Sequence, residues 1–307
     1  MHEKLSIVDA HVHVIEHIAG FGRKGEFRAV GNGKARWIDG EEAQIIPPGW
    51  GDTSFSYDTL IEVMDAHGIS KAVMLQGSFY GFCNEYTFEA QQKYPGRLYG
   101  VGTFDPYCYE APRIMENLIK RFKFRGLKFE LSRGFGLMGY HPDLRLDGYL
   151  MTPVWEFAQQ EQIVVSLDLG TFGEPSLQLD VLVNIAERYP DTKFVIEHIF
   201  YPGPGHFEDV KMALGMLAHC ENLAFTVASI PNSTLPEHFP YPAACDYIRI
   251  AKDIVGVDRL LWGSDLPSVA VHNSYAQLID YIREFGVFTE EELQKVYADN
   301  AVKVYNL

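Results

Sequence analysis

Two histidines lie two residues apart near the start of the chain, in the segment VDAHVHV. Alternation along a strand places His11 and His13 on one face together with Asp9, and the apolar residues between them on the other face. Two imidazoles at the end of one strand can bind the same metal ion, and buried imidazoles without partners are costly. The spacing therefore predicts a metal-binding or catalytic site around this pair.

Two further residues end apolar runs much later in the chain. His198 closes KFVIEHI, and Asp265 follows the apolar start of LLWGSDLP. Taken singly, these residues are typical of a core histidine and of a helix N-cap. Together with the first pair they provide nitrogen and oxygen ligands suited to a first-row metal ion.

The elements that would position these residues are eight apolar runs that alternate with segments of helical periodicity. The runs cover 5–9, 71–76, 98–104, 126–131, 163–169, 193–198, 223–229 and 259–265. Strands that alternate with helices pair in parallel, and the carboxyl ends of barrel strands carry catalytic groups. We therefore predict an α/β fold, a single (β/α)8 TIM barrel over residues 1–307. An open doubly wound sheet is the alternative, although no phosphate-binding glycine motif follows any run.

One segment interrupts this rhythm. Residues 19–54, rich in glycine, proline and charge, separate the first strand from the first helix. A loop this long is usually functional or mobile, and after a barrel strand it would lie on the face that carries the site. We expect a long loop that acts as a lid or pocket wall; a solvated insertion is the alternative.

Composition excludes several classes of partner. The net charge of -15 argues against nucleic acid and anionic membrane surfaces. The four cysteines are far apart and form no CxxC pair, which indicates reduced thiols. No signal peptide is recognisable, and no apolar run reaches the ~18 residues that span a bilayer. We expect a cytoplasmic protein that acts on a small molecule.

These motifs, together with GLKF at 126–129 and the terminal NAVKVYNL, resemble the amidohydrolase superfamily. The similarity is greatest to its amidohydrolase-related branch (amidohydrolase 2), which includes small-acid decarboxylases, lactonases and hydratases. It extends from Asp9 to Asn300 and includes NEYTFEAQQKYPGRLYGVGTFDP, which is similar to the third βα unit of that branch. HxH first and GSDxP last, in this order, are more specific than either motif alone.

The resemblance implies roles for these positions. His11 and His13 match the ligands of the first strand, His198 the histidine of the sixth, and Asp265 the acid that binds the metal, accepts a proton from water, or both. The implied cofactor is one divalent metal, zinc or manganese, which lowers the pKa of bound water to about 7. Asp168 stands in QIVVSLDLG where the branch has a histidine. It could be an oxygen ligand, an outer group, or the mark of a site that works without metal.

Four further residues are candidates for binding the substrate. Lys128 in GLKF lies on a strand among apolar neighbours, where an idle charge is unfavourable, so we expect it to anchor a carboxylate. Arg133 in the following loop could clamp a carboxylate bidentately, although an exposed loop arginine is the commoner case. Tyr80 and Asn84, in QGSFYGFCN, resemble pocket residues of the lactonase-like members.

The sequence thus predicts a metal-dependent hydrolase that acts on a small, carboxylated molecule. Asp265 would be the general base for an attacking water, and His198 would stabilise the oxyanion. A decarboxylase, a metal-free lactonase of the same branch and a non-catalytic binding barrel are the alternatives. By analogy with the branch we expect a homo-oligomer, a dimer or larger.

Overall fold

The computed structural model describes residues 5–307, in which eight strands form a parallel barrel. The barrel strands are β1 (Ile7–Val12), β6 (Ile69–Leu75), β7 (Leu98–Val101), β8 (Gly126–Glu130), β9 (Val164–Asp168), β10 (Lys193–Ile196), β11 (Leu223–Thr226) and β12 (Leu260–Leu261). The other strands, β2 (Ala19–Gly22), β3 (Gly25–Gly31), β4 (Lys34–Trp37) and β5 (Glu42–Gln44), form a separate antiparallel sheet.

The barrel consists of a three-stranded ladder, β1-β6-β7, and a five-stranded ladder, β8 to β12, which hydrogen bonds join on both sides. On one side the N–H of Lys128 donates to the carbonyl of Gly102 at 2.7 Å. On the other side the N–H of Ala10 donates to the carbonyl of Trp262 at 3.1 Å. The strands therefore follow one another around a ring in chain order, and the predicted (β/α)8 barrel is confirmed.

Helices follow the strands and cover the barrel. They are α1 (Tyr57–His67), α2 (Asn84–Lys93), α3 (Ala111–Glu116), α4 (Thr152–Glu161), α5 (Leu179–Arg188), α6 (Phe207–Leu217), α7 (Ile230–Ser233), α8 (Pro242–Val255), α9 (Tyr275–Glu284), α10 (Glu290–Gln294) and α11 (Asn300–Tyr305). Local signals set their ends: the Ser56 side chain caps α1 by accepting from the N–H of Thr59, and Gly68 ends it with φ of 72°. In residues 5–307 no helix has both the length and the apolar character needed to cross a membrane.

Apolar side chains fill the lumen toward the amino ends of the strands. Because seven of the eight strands contribute to one cluster, that cluster must lie inside the ring. The remaining barrel strand, β8, has Gly126, where an added side chain would meet the carbonyl oxygen of Val164 at 2.2 Å. Ala301 and Tyr305 of α11 pack on the same cluster. The lumen is thus a packed core, and polar groups begin only near the carboxyl ends of the strands.

Strand β1 departs from regular alternation at the site. Its pairing with β6 shifts register between Asp9 and Val12. Ala10 belongs to the luminal cluster, whereas the carboxylate of Asp9 accepts a hydrogen bond from the Tyr275 hydroxyl of α9 at 2.7 Å. The prediction that Asp9 shares a face with His11 is therefore wrong. A local bulge re-aims side chains in this way, and it is common beside active sites.

Candidate active site

Three polar groups from the two ends of the chain meet at the mouth of the barrel. Nε2 of His11 lies 3.3 Å from Nε2 of His13. Oδ1 of Asp265 lies 3.1 Å from Nε2 of His13 and 3.5 Å from Nε2 of His11. Asp265 follows β12 in a left-handed backbone conformation, with φ of 61°. Such a conformation is unfavourable for residues other than glycine and persists where the surrounding structure holds it.

Glu197, which the sequence analysis did not select, supports His11. Its Oε2 lies 2.6 Å from Nδ1 of His11 and accepts the Thr226 hydroxyl at 2.6 Å, while Oε1 accepts the Ser166 hydroxyl at 2.5 Å. All four side chains are buried. Because a carboxylate can only accept, His11 donates its Nδ1 proton to Glu197 and keeps a lone pair on Nε2.

An irregular turn brings Glu197 and His198 to the site together. Regular alternation would put these neighbours on opposite faces, but β10 ends at Ile196 and the four residues that follow Glu197 have positive φ. Nδ1 of His198 lies 2.9 Å from the carbonyl oxygen of Ala228, to which it donates. This contact fixes the orientation of the His198 ring, which lines the cavity. The signal that could have revealed Glu197 is a carboxylate at the end of an apolar strand, where burial demands partners.

Burial determines the protonation states of this cluster. Burial, followed by the positive charge of Lys128, holds the pKa of His11 well below its ordinary value. Burial also lowers the pKa of His13, against the opposing effect of its hydrogen bond to Asp265. Burial alone would raise the pKa of Asp265, but His11, the hydrogen bond to His13 and His198 together hold it well below its usual range. At neutral pH the site therefore combines neutral imidazoles with an ionised carboxylate.

Two sets of donor atoms among residues 5–307 are close enough to share a metal ion, His11 with Glu197 and His198, and His11 with His13 and Asp265. In the first set Glu197 already accepts the Nδ1 proton of His11. The second set fits a metal better, since two ring nitrogens and a carboxylate oxygen converge. A metal-bound histidine usually donates its other N–H to a carboxylate, as His11 does. Nδ1 of His13 has no partner in the described chain, so without a metal Nε2 donates to Asp265, and a bound metal would take the place of that proton.

A cavity of about 420 Å³ opens beside this cluster, and its wall includes His13, His198, Asp265 and Lys128. Lys128 is only 2% exposed. Within residues 5–307, no carboxylate lies within ion-pairing distance of its Nζ and no other group hydrogen-bonds to it. A buried ammonium without a partner is costly, which favours a ligand that brings negative charge, either formal or developing in a reaction.

Glu130 also lines the cavity and was not selected from the sequence. Its Oε2 accepts the N–H of Phe79 at 3.1 Å. Burial raises the pKa of the Glu130 carboxyl to about 7, with Lys128 opposing the rise and the charge of Asp168 adding to it. Alternation in GLKFE, which puts residues 128 and 130 on one face, is the signal that could have found it.

Asp168 and Tyr80 both lie in the cavity wall. Oδ1 of Asp168 accepts the N–H of Gly170 at 3.0 Å, and the residue belongs to neither of the two donor sets. The Tyr80 ring contacts the His13 ring edge-on, with 5.0 Å between centroids. Burial, followed by the charge of Asp265, raises the pKa of Tyr80 well above its ordinary value, so its hydroxyl keeps the proton.

The structure does not bring Asn84 and Arg133 to the cavity wall. The Asn84 amide donates to the carbonyl of Thr103 at 2.8 Å and accepts its N–H at 3.0 Å, which joins the start of α2 to the segment after β7. Arg133 is exposed, and its backbone N–H donates to Glu174 at 3.1 Å.

Within the predicted loop of residues 19–54, residues 19–44 form a small antiparallel sheet. Phe27 and Trp37 are buried on one face, and Phe27 stacks on Phe79 with 5.0 Å between ring centroids. Positive φ at 31–33 allows the tight turn between β3 and β4. Just beyond β5, Ile45 lines the cavity. The sheet therefore packs against the loop after β6, next to the site.

Comparison with known proteins identifies the family. A family model described as Amidohydrolase matches residues 8–307. The chain belongs to the amidohydrolase family. This is the family that the sequence motifs, including the histidine pair at the end of β1, had indicated.

Several relatives of this amidohydrolase-family protein have names or structures. It is 29% identical over 174 residues to L-fucono-1,5-lactonase of Burkholderia ambifaria, a match that covers 54% of each chain. A crystal structure from Acinetobacter baumannii, assigned as a 2-pyrone-4,6-dicarboxylic acid hydrolase, aligns with a TM-score of 0.70 at 18% identity, over 99% of this chain and 100% of that one. A zinc-bound amidohydrolase from Burkholderia multivorans aligns with a TM-score of 0.71 at 15% identity, over 98% and 99%. The two structural matches support the barrel fold.

Proposed function

We propose that this amidohydrolase-family protein hydrolyses a small cyclic ester. The observation that carries the proposal is one buried cavity that combines an ionised Asp265, neutral imidazoles and the unpaired Lys128. Two names among the similar proteins support it, since a 1,5-lactone and a 2-pyrone are both six-membered cyclic esters.

The chain's own residues can carry each step of such a hydrolysis. Asp265 accepts a proton from a water that attacks the ester carbonyl carbon, and a carbon–oxygen bond forms. Lys128 and the proton-bearing Tyr80 are placed to stabilise negative charge on the carbonyl oxygen, and His198 lies in the same wall. The ring carbon–oxygen bond then breaks, and Asp265 returns the proton to the leaving alkoxide. We assign Lys128 to the reacting bond because it lines the same cavity as His13 and Asp265.

We further propose that His11, His13 and Asp265 hold one divalent metal, zinc or manganese, with His198 beside them. Their nitrogen and oxygen donors suit either ion. When bound, such a metal supplies Lewis-acid polarisation and lowers the pKa of a water molecule.

Metal content tests this assignment. We expect about one equivalent of zinc or manganese in the purified protein by elemental mass spectrometry, and its loss in the His11→Ala/His13→Ala variant, because two of three ligands are gone. The exposed His219→Ala is the matched control and should retain the metal. Circular dichroism establishes that the double variant is folded. If neither protein binds metal after reconstitution, the metal assignment is wrong and the histidines and Asp265 act directly.

Decarboxylation is a second candidate because of Lys128. An unpaired ammonium beside the histidines would also bind the carboxylate of a small acid. In that reaction no water attacks, and carbon dioxide leaves. A carbon dioxide release assay on small aromatic acids separates it from ester hydrolysis.

Lactone hydrolysis is tested directly with a panel of five- and six-membered lactones. We expect acid release, followed with a pH indicator, from at least one six-membered lactone above the spontaneous rate. Heat-denatured protein gives the background rate. Carbon dioxide release with no lactone hydrolysis would contradict the proposal in favour of a decarboxylase. The cytoplasmic location, the homo-oligomeric state and the role of residues 19–54 as a pocket wall stay proposals beside it.

A further inference from the structure

One part of the cavity wall carries three carboxylates, Glu130, Asp168 and Glu174, which we call the acidic wall. Glu130 and Asp168 end neighbouring strands and are register partners, so their side chains lie on the same face of the sheet. Within residues 5–307, no lysine or arginine lies within ion-pairing distance of any of the three. None of the three charges is therefore neutralised by an ion pair, although the charge of Lys128 acts on Glu130.

Each carboxylate of the acidic wall is held through one oxygen only. Oε2 of Glu130 accepts the N–H of Phe79, Oδ1 of Asp168 accepts the N–H of Gly170, and Oε2 of Glu174 accepts the N–H of Arg133 and the Ser176 hydroxyl. In the described chain the second oxygen of each has no hydrogen-bond donor. Three acceptor oxygens thus remain available at a fixed position in the cavity.

The acidic wall resists a further negative charge. Burial, against the opposing effect of Lys128 and with the charge of Asp168 adding to it, already raises the pKa of Glu130 to about 7. A carboxylate on the substrate at this wall would meet the charges of Asp168 and Glu174, and above about pH 7 that of Glu130 as well. A hydroxyl, by contrast, donates to such oxygens without adding charge, and neutral Ser132, Thr171 and Asn232 beside them can bond other hydroxyls.

We propose that Glu130, Asp168 and Glu174 determine substrate specificity by selecting uncharged, hydroxyl-bearing cyclic esters and excluding carboxylated ones. The inference rests on the proposed hydrolysis of a cyclic ester. It differs from the expectation of a carboxylated substrate, for which Lys128 was the expected anchor and Arg133 a further candidate. Arg133 lies outside the wall, and Lys128 is at the reacting bond.

The test compares two lactones that differ at one carbon, glucono-1,5-lactone with its terminal hydroxymethyl group and glucaro-1,5-lactone with a carboxylate there. We expect the wild type to favour the uncharged lactone by about a hundredfold in kcat/KM. At a pH of about 8.5, where Glu130 is ionised, Glu130→Gln and Asp168→Asn should each lower that ratio about tenfold, since each removes one repulsive charge. The exposed Glu221→Gln is the control and should leave the ratio unchanged.

Binding keeps this test separate from that of the proposed function. Calorimetry with the corresponding lactams, which resist hydrolysis, reports the same preference without turnover. If no lactone is hydrolysed, but the wild type prefers the uncharged lactam and the variants lose this preference, the proposed hydrolysis is wrong. The role of the acidic wall in specificity is then still supported. A wild type without preference, or a ratio unchanged in Glu130→Gln, Asp168→Asn and Glu174→Gln, overturns the specificity proposal. Circular dichroism of each variant establishes that it is folded.

Discussion

Asp265→Asn should lower kcat on any lactone that the protein hydrolyses by about a thousandfold, which is within the usual contribution of a general base. The amide has nearly the same shape as the carboxylate, but it cannot take a proton from water. Oδ1 of Asp265 is also the group that approaches both Nε2 atoms of the histidine pair, so its replacement should weaken metal binding too. Initial rates measured with saturating metal separate the two effects.

The control for Asp265→Asn is Asp253→Asn, an exposed position on α8 that should keep the wild-type rate. Melting temperature and circular dichroism show whether the barrel is intact. Retention of more than about a tenth of the wild-type kcat in folded, metal-loaded Asp265→Asn would exclude this residue as the base.

Lys128→Met should lower kcat about a hundredfold and make the protein more stable at the same time. The rate falls because the variant loses a charged donor at the carbonyl oxygen, and one such donor is usually worth a factor of 10² to 10³. Stability rises because a 2%-exposed ammonium without a partner is replaced by an apolar side chain of similar length. We expect a gain of about 1–2 kcal/mol in the free energy of unfolding, measured by urea denaturation.

A fall in kcat together with a rise in the free energy of unfolding would distinguish a catalytic role of Lys128 from a purely structural one. If the residue only supported the fold, Lys128→Met would lose stability and keep its rate once folded. Lys211→Met, exposed on α6, is the matched control, and it should change the unfolding free energy by less than about 0.5 kcal/mol. A decarboxylase would instead show the loss of rate in carbon dioxide release.

Site residues at the ends of strands could be predicted from the sequence, because a barrel brings the carboxyl ends of all its strands to the same face. Parallel strands in a closed ring present all their carboxyl ends on one face. His13, His198 and Asp265 each end or follow an apolar run and Lys128 lies within one, so their presence around one cavity follows from the alternation of strands and helices.

Residues in loops and irregular turns were not accessible in this way. Asn84 and Arg133 lie in segments whose course depends on contacts with distant elements, and neither reaches the cavity wall. Glu197 supports His11 only because the chain turns sharply after Ile196, and Asp9 leaves the site because β1 is irregular. A period-2 pattern contains no information about where a strand departs from it.

By itself, the sequence determined the barrel, the family and part of the site at its mouth, whereas Glu130 and Glu197 emerged only from the structure. These features follow from hydrophobic periodicity and from short motifs that can be recognised in the sequence alone. Only the tertiary structure decided which charges remain unpaired. The pairing of Lys128, Glu130, Asp168 and Glu174 depends on distances of a few ångströms between separate strands and loops, because Coulomb and hydrogen-bond energies fall off over that range. The charge that a substrate can carry in this cavity is therefore a property of the fold.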